Sequence, residues 1–162
     1  MATNPPADVV LTPLNGEAQP ISDWVITFQL VVVVLDPFTN ESSWILETAG
    51  RVLTHFRGAD CRVAFVVTGT ADQAHQFLGP WADKVLTFAD PERKLVKGLG
   101  LNELPAFVQI RQDLSVPEAA EGWDPVEWHN VAHAIAKNMS WSVPLIPGPH
   151  DPSPYAGSAA AG

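Results

Sequence analysis

Thr39 and Ser42 stand three residues apart where the apolar run Leu30–Leu35 gives way to Asp36-Pro37 and a helical pattern begins. A strand end that feeds a helix N-terminus offers free N–H groups and the positive end of a dipole, both of which favour an anion. A cysteine there would be a strong nucleophile, because a free thiol titrates near ~8.5 and a helix N-terminus lowers that value. A hydroxyl in the same place is not appreciably ionised without a base. It forms no disulfide and does not attack a peroxide by the thiolate route. Bases available to Ser42 are His55, His75, His129, His133 and His150, with Asp36 or Glu41 to orient one of them. A triad is recognised by geometry, and no G-x-S-x-G elbow surrounds Ser42. The favoured reading is local: Thr39 as N-cap, Glu41 against the helix dipole, Ser42 satisfying first-turn N–H groups.

Other residues with chemical potential are scattered. Cys61, the single cysteine, begins a strand in "GADCRVAF", with Arg57 and Arg62 near enough in sequence to lower its pKa. A lone cysteine is more often a small buried residue. His129 and His133 are spaced to converge on one helix face, but H-N-V-A-H lacks the glutamate of H-E-x-x-H and has no evident third ligand. Gly98-Leu99-Gly100 closes a helix and does not cradle a phosphate. No metal or cofactor is expected. Of the six tryptophans, Trp44, Trp81, Trp123, Trp128 and Trp141 suit either a core or a partner surface.

The chain that must position these groups has 162 residues, enough for one domain and a proper core. Hydrophobic residues make up 46% of it, and the net charge is −9. That charge argues against nucleic acid and anionic membrane as partners. One cysteine excludes an internal disulfide and a Cys-rich zinc site. Residues 1–10 carry no secretion signal, and Leu30–Leu35 is too short to span a bilayer, so a soluble cytoplasmic protein is expected.

No internal repeat is visible. A flexible N-terminus (1–10) precedes a domain at 11–142, and an extended tail follows at 143–162 with five prolines. The tail is expected to dock in part through Val143, Leu145, Ile146 and Tyr155, with a flexible end. Within the domain, strands are predicted at 31–36, 62–67, 84–88 and 106–110, with an edge strand at 114–119. Helices are predicted at 42–56, from Thr70 to Leu78, from Asp90-Pro91 to Gly98, and from Asp124-Pro125 onward. The order is that of an α/β protein, a mixed sheet of four or five strands covered by helices.

Three stretches carry a family resemblance. "PLNGEAQPISDW" (13–24) resembles the N-terminal hairpin of the AhpC/TSA and TlpA-like branch of the thioredoxin-like superfamily. "FADPERKLVKGLGLNELPAFVQI" (88–110) is similar to that branch's Asp-Pro, short helix, Gly, and Leu-Pro run before a strand. "EGWDPVEW" (121–128) resembles its lead-in to the last helix. Together they cover roughly residues 11–141. The resemblance implies a thioredoxin-like fold with an N-terminal β-hairpin extension, and places Leu104-Pro105 in the cis-proline loop beside the active site.

In thioredoxins the junction reads W-C-x-x-C, and in peroxiredoxins T-x-x-C. Here it reads Phe38-Thr39-Asn40-Glu41-Ser42. Thr39 matches the peroxiredoxin threonine, and Ser42 stands where a reactive cysteine would be. The arginine that holds a peroxidatic thiolate is absent just before Ala106, the nearest being Arg111 at the far end of the strand. The implied function is a redox-inactive protein-binding or scaffolding module. Its groove is lined by Phe38, Thr39, Asn40, Ser42, Leu104 and Pro105, and its partner is a protein or extended peptide. The alternative is a thiol oxidoreductase or peroxiredoxin-like antioxidant protein using Cys61 through intermolecular disulfides. A third expectation, from the tryptophans and the Pro-rich tail, is a subunit of an oligomer or larger assembly.

Overall fold

The computed structural model describes residues 2–162. Its elements run in the order β1 (Val10–Pro13), β2 (Gln19–Pro20), α1 (Ile21–Trp24), β3 (Gln29–Leu35), α2 (Asn40–His55), β4 (Cys61–Val67), α3 (Ala71–Leu78), α4 (Trp81–Lys84), β5 (Leu86–Ala89), α5 (Lys94–Gly98), β6 (Glu103–Leu104), β7 (Ala106–Ile110), β8 (Glu118–Glu121), α6 (Pro125–Met139) and β9 (Ser158–Ala159). Seven strands form one mixed sheet in the order β2-β1-β5-β4-β3-β7-β8, and β6 and β9 form a separate two-stranded ribbon.

The centre of the sheet follows from composition. β3 is buried along its whole length and pairs parallel with β4 and antiparallel with β7. β-Branched residues with both faces covered suit such a position. Odd-numbered residues of β3 (Val31, Val33, Leu35) face one core, formed with α2 and α6. Even-numbered residues (Leu30, Val32, Val34) face the other, formed with α1 and α5. Trp123 and Trp128 are fully buried in the first core, edge to face with ring centroids 5.1 Å apart. Trp44 and Trp141 are exposed, which sorts most of the tryptophans between core and surface.

The sheet has more strands than the four or five expected, because β1 pairs antiparallel with β5 and carries the hairpin into the sheet. Three other local expectations shift. β8 begins at Glu118, not at 114, since Leu114 takes φ +68° and Pro117 has no N–H to offer a ladder. β5 starts at Leu86 because Trp81–Lys84 forms a helical turn. α5 begins at Lys94, after a turn at Pro91-Glu92, yet Asp90 still caps it: its carboxylate accepts the N–H groups of Lys94, Leu95 and Val96. Burial pushes the Asp90 carboxyl upward, and those three N–H donors and Arg93 oppose the rise. α3 starts as expected, with a capping box in which Thr70 and Gln73 bond each other's backbone.

Candidate functional site

Strand register brings the two halves of the expected groove together. Val34 pairs with Ala106, so Leu35-Asp36 at the end of β3 lies against Leu104-Pro105 at the start of β7. The Leu104-Pro105 bond is cis, as the resemblance implies. Asp36 is buried and accepts the Phe38 N–H at 2.9 Å, which turns the chain into α2. Thr39 occupies the N-cap position, but its side chain makes no capping bond. Its hydroxyl instead lies 2.8 Å from that of Ser42, which is 2% exposed. The two hydroxyls satisfy each other, and this replaces the local capping roles expected for them. No histidine makes a hydrogen bond to Ser42 among the described residues. His55 is engaged with Ser142, and His129 and His133 stack on each other at 6.4 Å on α6.

A cation that sequence reasoning missed completes this wall. Arg93 comes from the turn before α5, with its backbone in the left-handed region at φ +58°. One guanidinium nitrogen lies 3.4 Å from an Asp36 oxygen, and another donates to the Ala160 carbonyl at 2.7 Å. Arg93 is remote from Ala106 in sequence and arrives from a separate loop. "ADPERK" marks that turn, but only the tertiary fold aims it at Asp36.

The tail covers the site. Its first part crosses α2: Asp151 accepts from Thr48 at 2.6 Å, from Arg51 at 2.7 Å and from the Gly148 N–H at 2.6 Å. Of the four docking residues expected, Ile146 is buried and Tyr155 partly buried, while Val143 and Leu145 are exposed. Tyr155 donates its hydroxyl to the Glu41 carbonyl at 2.9 Å, and burial raises its pKa. Tyr155 and Trp123 exchange backbone hydrogen bonds at 2.9 and 3.0 Å, and the Trp123 indole donates to the Pro152 carbonyl at 2.8 Å. Beyond Tyr155 the chain pairs antiparallel with the cis-proline loop, Ser158 opposite Leu104 and Ala159 opposite Glu103. The Ala160 N–H then bonds the Asn102 carbonyl at 2.9 Å, and Ala160 itself is 1% exposed.

Two glycines allow that close approach. A Cβ on Gly122 would sit 2.5 Å from the Ala156 carbonyl oxygen, and one on Gly157 would sit 2.5 Å from that of Leu104. Both take positive φ, +75° and +94°. The site residues expected from sequence therefore divide. Leu104 and Pro105 are buried, with the Leu104 edge paired to the tail. Phe38 is 62% exposed and borders an open cavity of about 270 Å³ with Pro37, Gln73, Gln76 and Phe77. Asn40 is exposed.

Cys61 lies elsewhere. It pairs with Gln29 at the start of β4, whereas the groove lies beyond the opposite end of that strand, roughly 20 Å away along seven residues. Burial, and then the Asp60 charge, push the thiol up to about 11. The two nearby arginines do not lower it: Arg57 donates to the Lys84 carbonyl, and Arg62 stacks over Trp24 and Phe28. Among the described residues no cluster of three or more His, Cys, Asp or Glu is placed to hold a metal ion, and no helix is long and apolar enough to cross a membrane.

No protein-family model matches the sequence, and no curated protein matches it. Solved structures do. A hypothetical protein from Sinorhizobium meliloti 1021 superposes with a TM-score of 0.69 at 14% identity, over 99% of this chain and 94% of its own. A putative thiol:disulfide interchange protein DsbE from Chlorobium tepidum gives 0.67 at 14% identity, over 86% and 98%. A Cys-to-Ser mutant of PrxQ from Xylella fastidiosa gives 0.66 at 14% identity, over 85% and 97%. Identities this low speak for the fold alone. The chain has the thioredoxin-like fold shared by DsbE-like and peroxiredoxin structures, and its single cysteine, Cys61, forms no CxxC motif.

Proposed function

We infer that this chain is a redox-inactive binding module, one that holds an extended polypeptide in the groove between Phe38–Ser42 and the Leu104-Pro105 loop. The observation that carries this reading is the Glu103–Leu104 edge. It pairs by main-chain hydrogen bonds with an extended segment, here the chain's own Ser158–Ala159, and no sulfur takes part. Strand addition of this kind gives affinity through the backbone and selectivity through alternate side chains. Phe38 and its cavity offer an adjoining apolar contact. A catalytic role for Cys61 is disfavoured by its place at the far end of β4 and by a thiol held protonated. The cytoplasmic setting expected from the sequence is part of the same proposal, and cell fractionation tests it.

The test of redox inactivity is an insulin-reduction and peroxide-consumption assay on wild type and Cys61→Ser. Neither chain is expected to turn over. Turnover that vanishes in Cys61→Ser would overturn the reading in favour of a one-cysteine oxidoreductase.

A further inference from the structure

The geometry points to a displaceable strap: Tyr155–Ala160 closes the groove, and the position it vacates takes an extended segment of another polypeptide with a tyrosine, a glycine two positions on, and a small residue three beyond that. This rests on the reading of the groove as a polypeptide site and adds what controls it and what it selects.

The occupied groove supplies the selection rules. Most of its contacts are main-chain and indifferent to sequence: the reciprocal Trp123–Tyr155 bonds, the Glu103–Leu104 pairing, and the Ala160 N–H to Asn102. Three positions are not indifferent. The first needs an aromatic hydroxyl that reaches the Glu41 carbonyl, with its ring edge-on to Trp44 at 6.1 Å. The second needs glycine, because any Cβ at 157 would lie 2.5 Å from the Leu104 oxygen. The third, at 160, needs a small residue. Ala160 is enclosed in the core with Leu104 and Ala106, and Arg93 holds its carbonyl.

The strap is separable from the rest of the tail. Asp151 is fastened independently to Thr48 and Arg51 on α2, and Pro152 and Pro154 lie between that anchor and Tyr155. A tethered segment competes at an effective concentration of about millimolar, so an outside segment meets a site that is almost always filled. Its apparent affinity falls with the fraction of chains whose strap is open.

The experiment uses the full chain and a fluorescein-labelled peptide of residues 152–162, read by anisotropy. Gly157→Val expels the strap through the Leu104 clash without touching the groove, and Ala160→Glu is a second route, since a carboxylate does not fit a buried alanine's place. Limited proteolysis of the tail reports release. Both variants are expected to bind the peptide at least about tenfold more tightly than wild type. A peptide carrying Gly157→Val is expected not to bind. Release with equal affinity in wild type and variants would overturn the strap while sparing the binding reading. Release with no binding in any chain would overturn the binding reading itself. A tail as protected in both variants as in wild type would overturn the glycine and alanine assignments. A wild-type chain of doubled mass in light scattering, held by exchanged tails, would make the occupant a second copy and overturn the proposal.

Discussion

The two ends of β4 make opposite use of the same sheet. At its start, Cys61 is partly buried, its thiol pushed up to about 11 with the Phe56 carbonyl as its hydrogen-bond acceptor. Beyond its other end lie Asp36, Thr39, Ser42, Arg93 and the tail, a polar, hydrogen-bonded site with no sulfur. The geometry that makes a thiol reactive is a helix N-terminus at a strand end, and it belongs to one end. The sulfur belongs to the other. The difference teaches that main-chain pairing at the Glu103–Leu104 edge is independent of the sulfur, which is what the proposed binding role requires.

Breaking the sulfur-free end at its base should have the largest effect. Trp123→Ala removes a fully buried indole that packs on Trp128 and donates to the tail at Pro152. Urea unfolding should show a loss of about 3–5 kcal/mol, accompanied by early proteolysis of the tail. Next is Arg93→Ala, which strips the Ala160 carbonyl of its donor and leaves the buried Asp36 without its cation. A loss of about 2 kcal/mol is expected in the same measurement. Ser42→Ala removes one hydroxyl contact, which Thr39 partly recovers through the Asp36 carbonyl. The expected loss is about 1 kcal/mol or less, with no change in tail protection; a released tail would mean that the hydroxyl pair, not the backbone, holds the groove shut.

Near neutral pH the smallest effect belongs to the other end, whose pH dependence is confined to alkaline solution. The folded thiol at about 11 lies above its ordinary value of 9.0, so between those values the folded state binds more protons than the unfolded one. Stability is therefore flat below the lower value and falls as pH rises through that window. Cys61→Ala should lessen the decline in a pH series of thermal melts, and what remains above about pH 10 belongs in part to Tyr155, whose pKa burial also raises. Alkylation of wild type near pH 8 should be slow until the chain is unfolded.

What the sequence made legible was local. The capping box Thr70…Gln73 and the Asp124-Pro125 start each lie within a few residues, and the structure places both helices accordingly. The continuous apolar run of β3 announced a central strand covered on both faces. Long-range pairing was not legible. Nothing around Val10–Pro13 says that it adds to β5, and nothing in "AGSAAAG" says that it pairs with Glu103–Leu104. Such pairings depend on which edge is free and near in the fold, and small residues carry no pattern that specifies it. The site was half visible for the same reason: Phe38–Ser42 and Leu104-Pro105 could be placed, while Arg93, Gly122 and Gly157 could not.

The most direct test compares the affinity of the labelled 152–162 peptide for two full chains, Gly157→Val and Gly157→Val with Cys61→Ala. Equal dissociation constants are expected, since the groove and the sulfur lie at opposite ends of β4. Binding that weakens more than about tenfold without Cys61 would contradict a groove that works without sulfur.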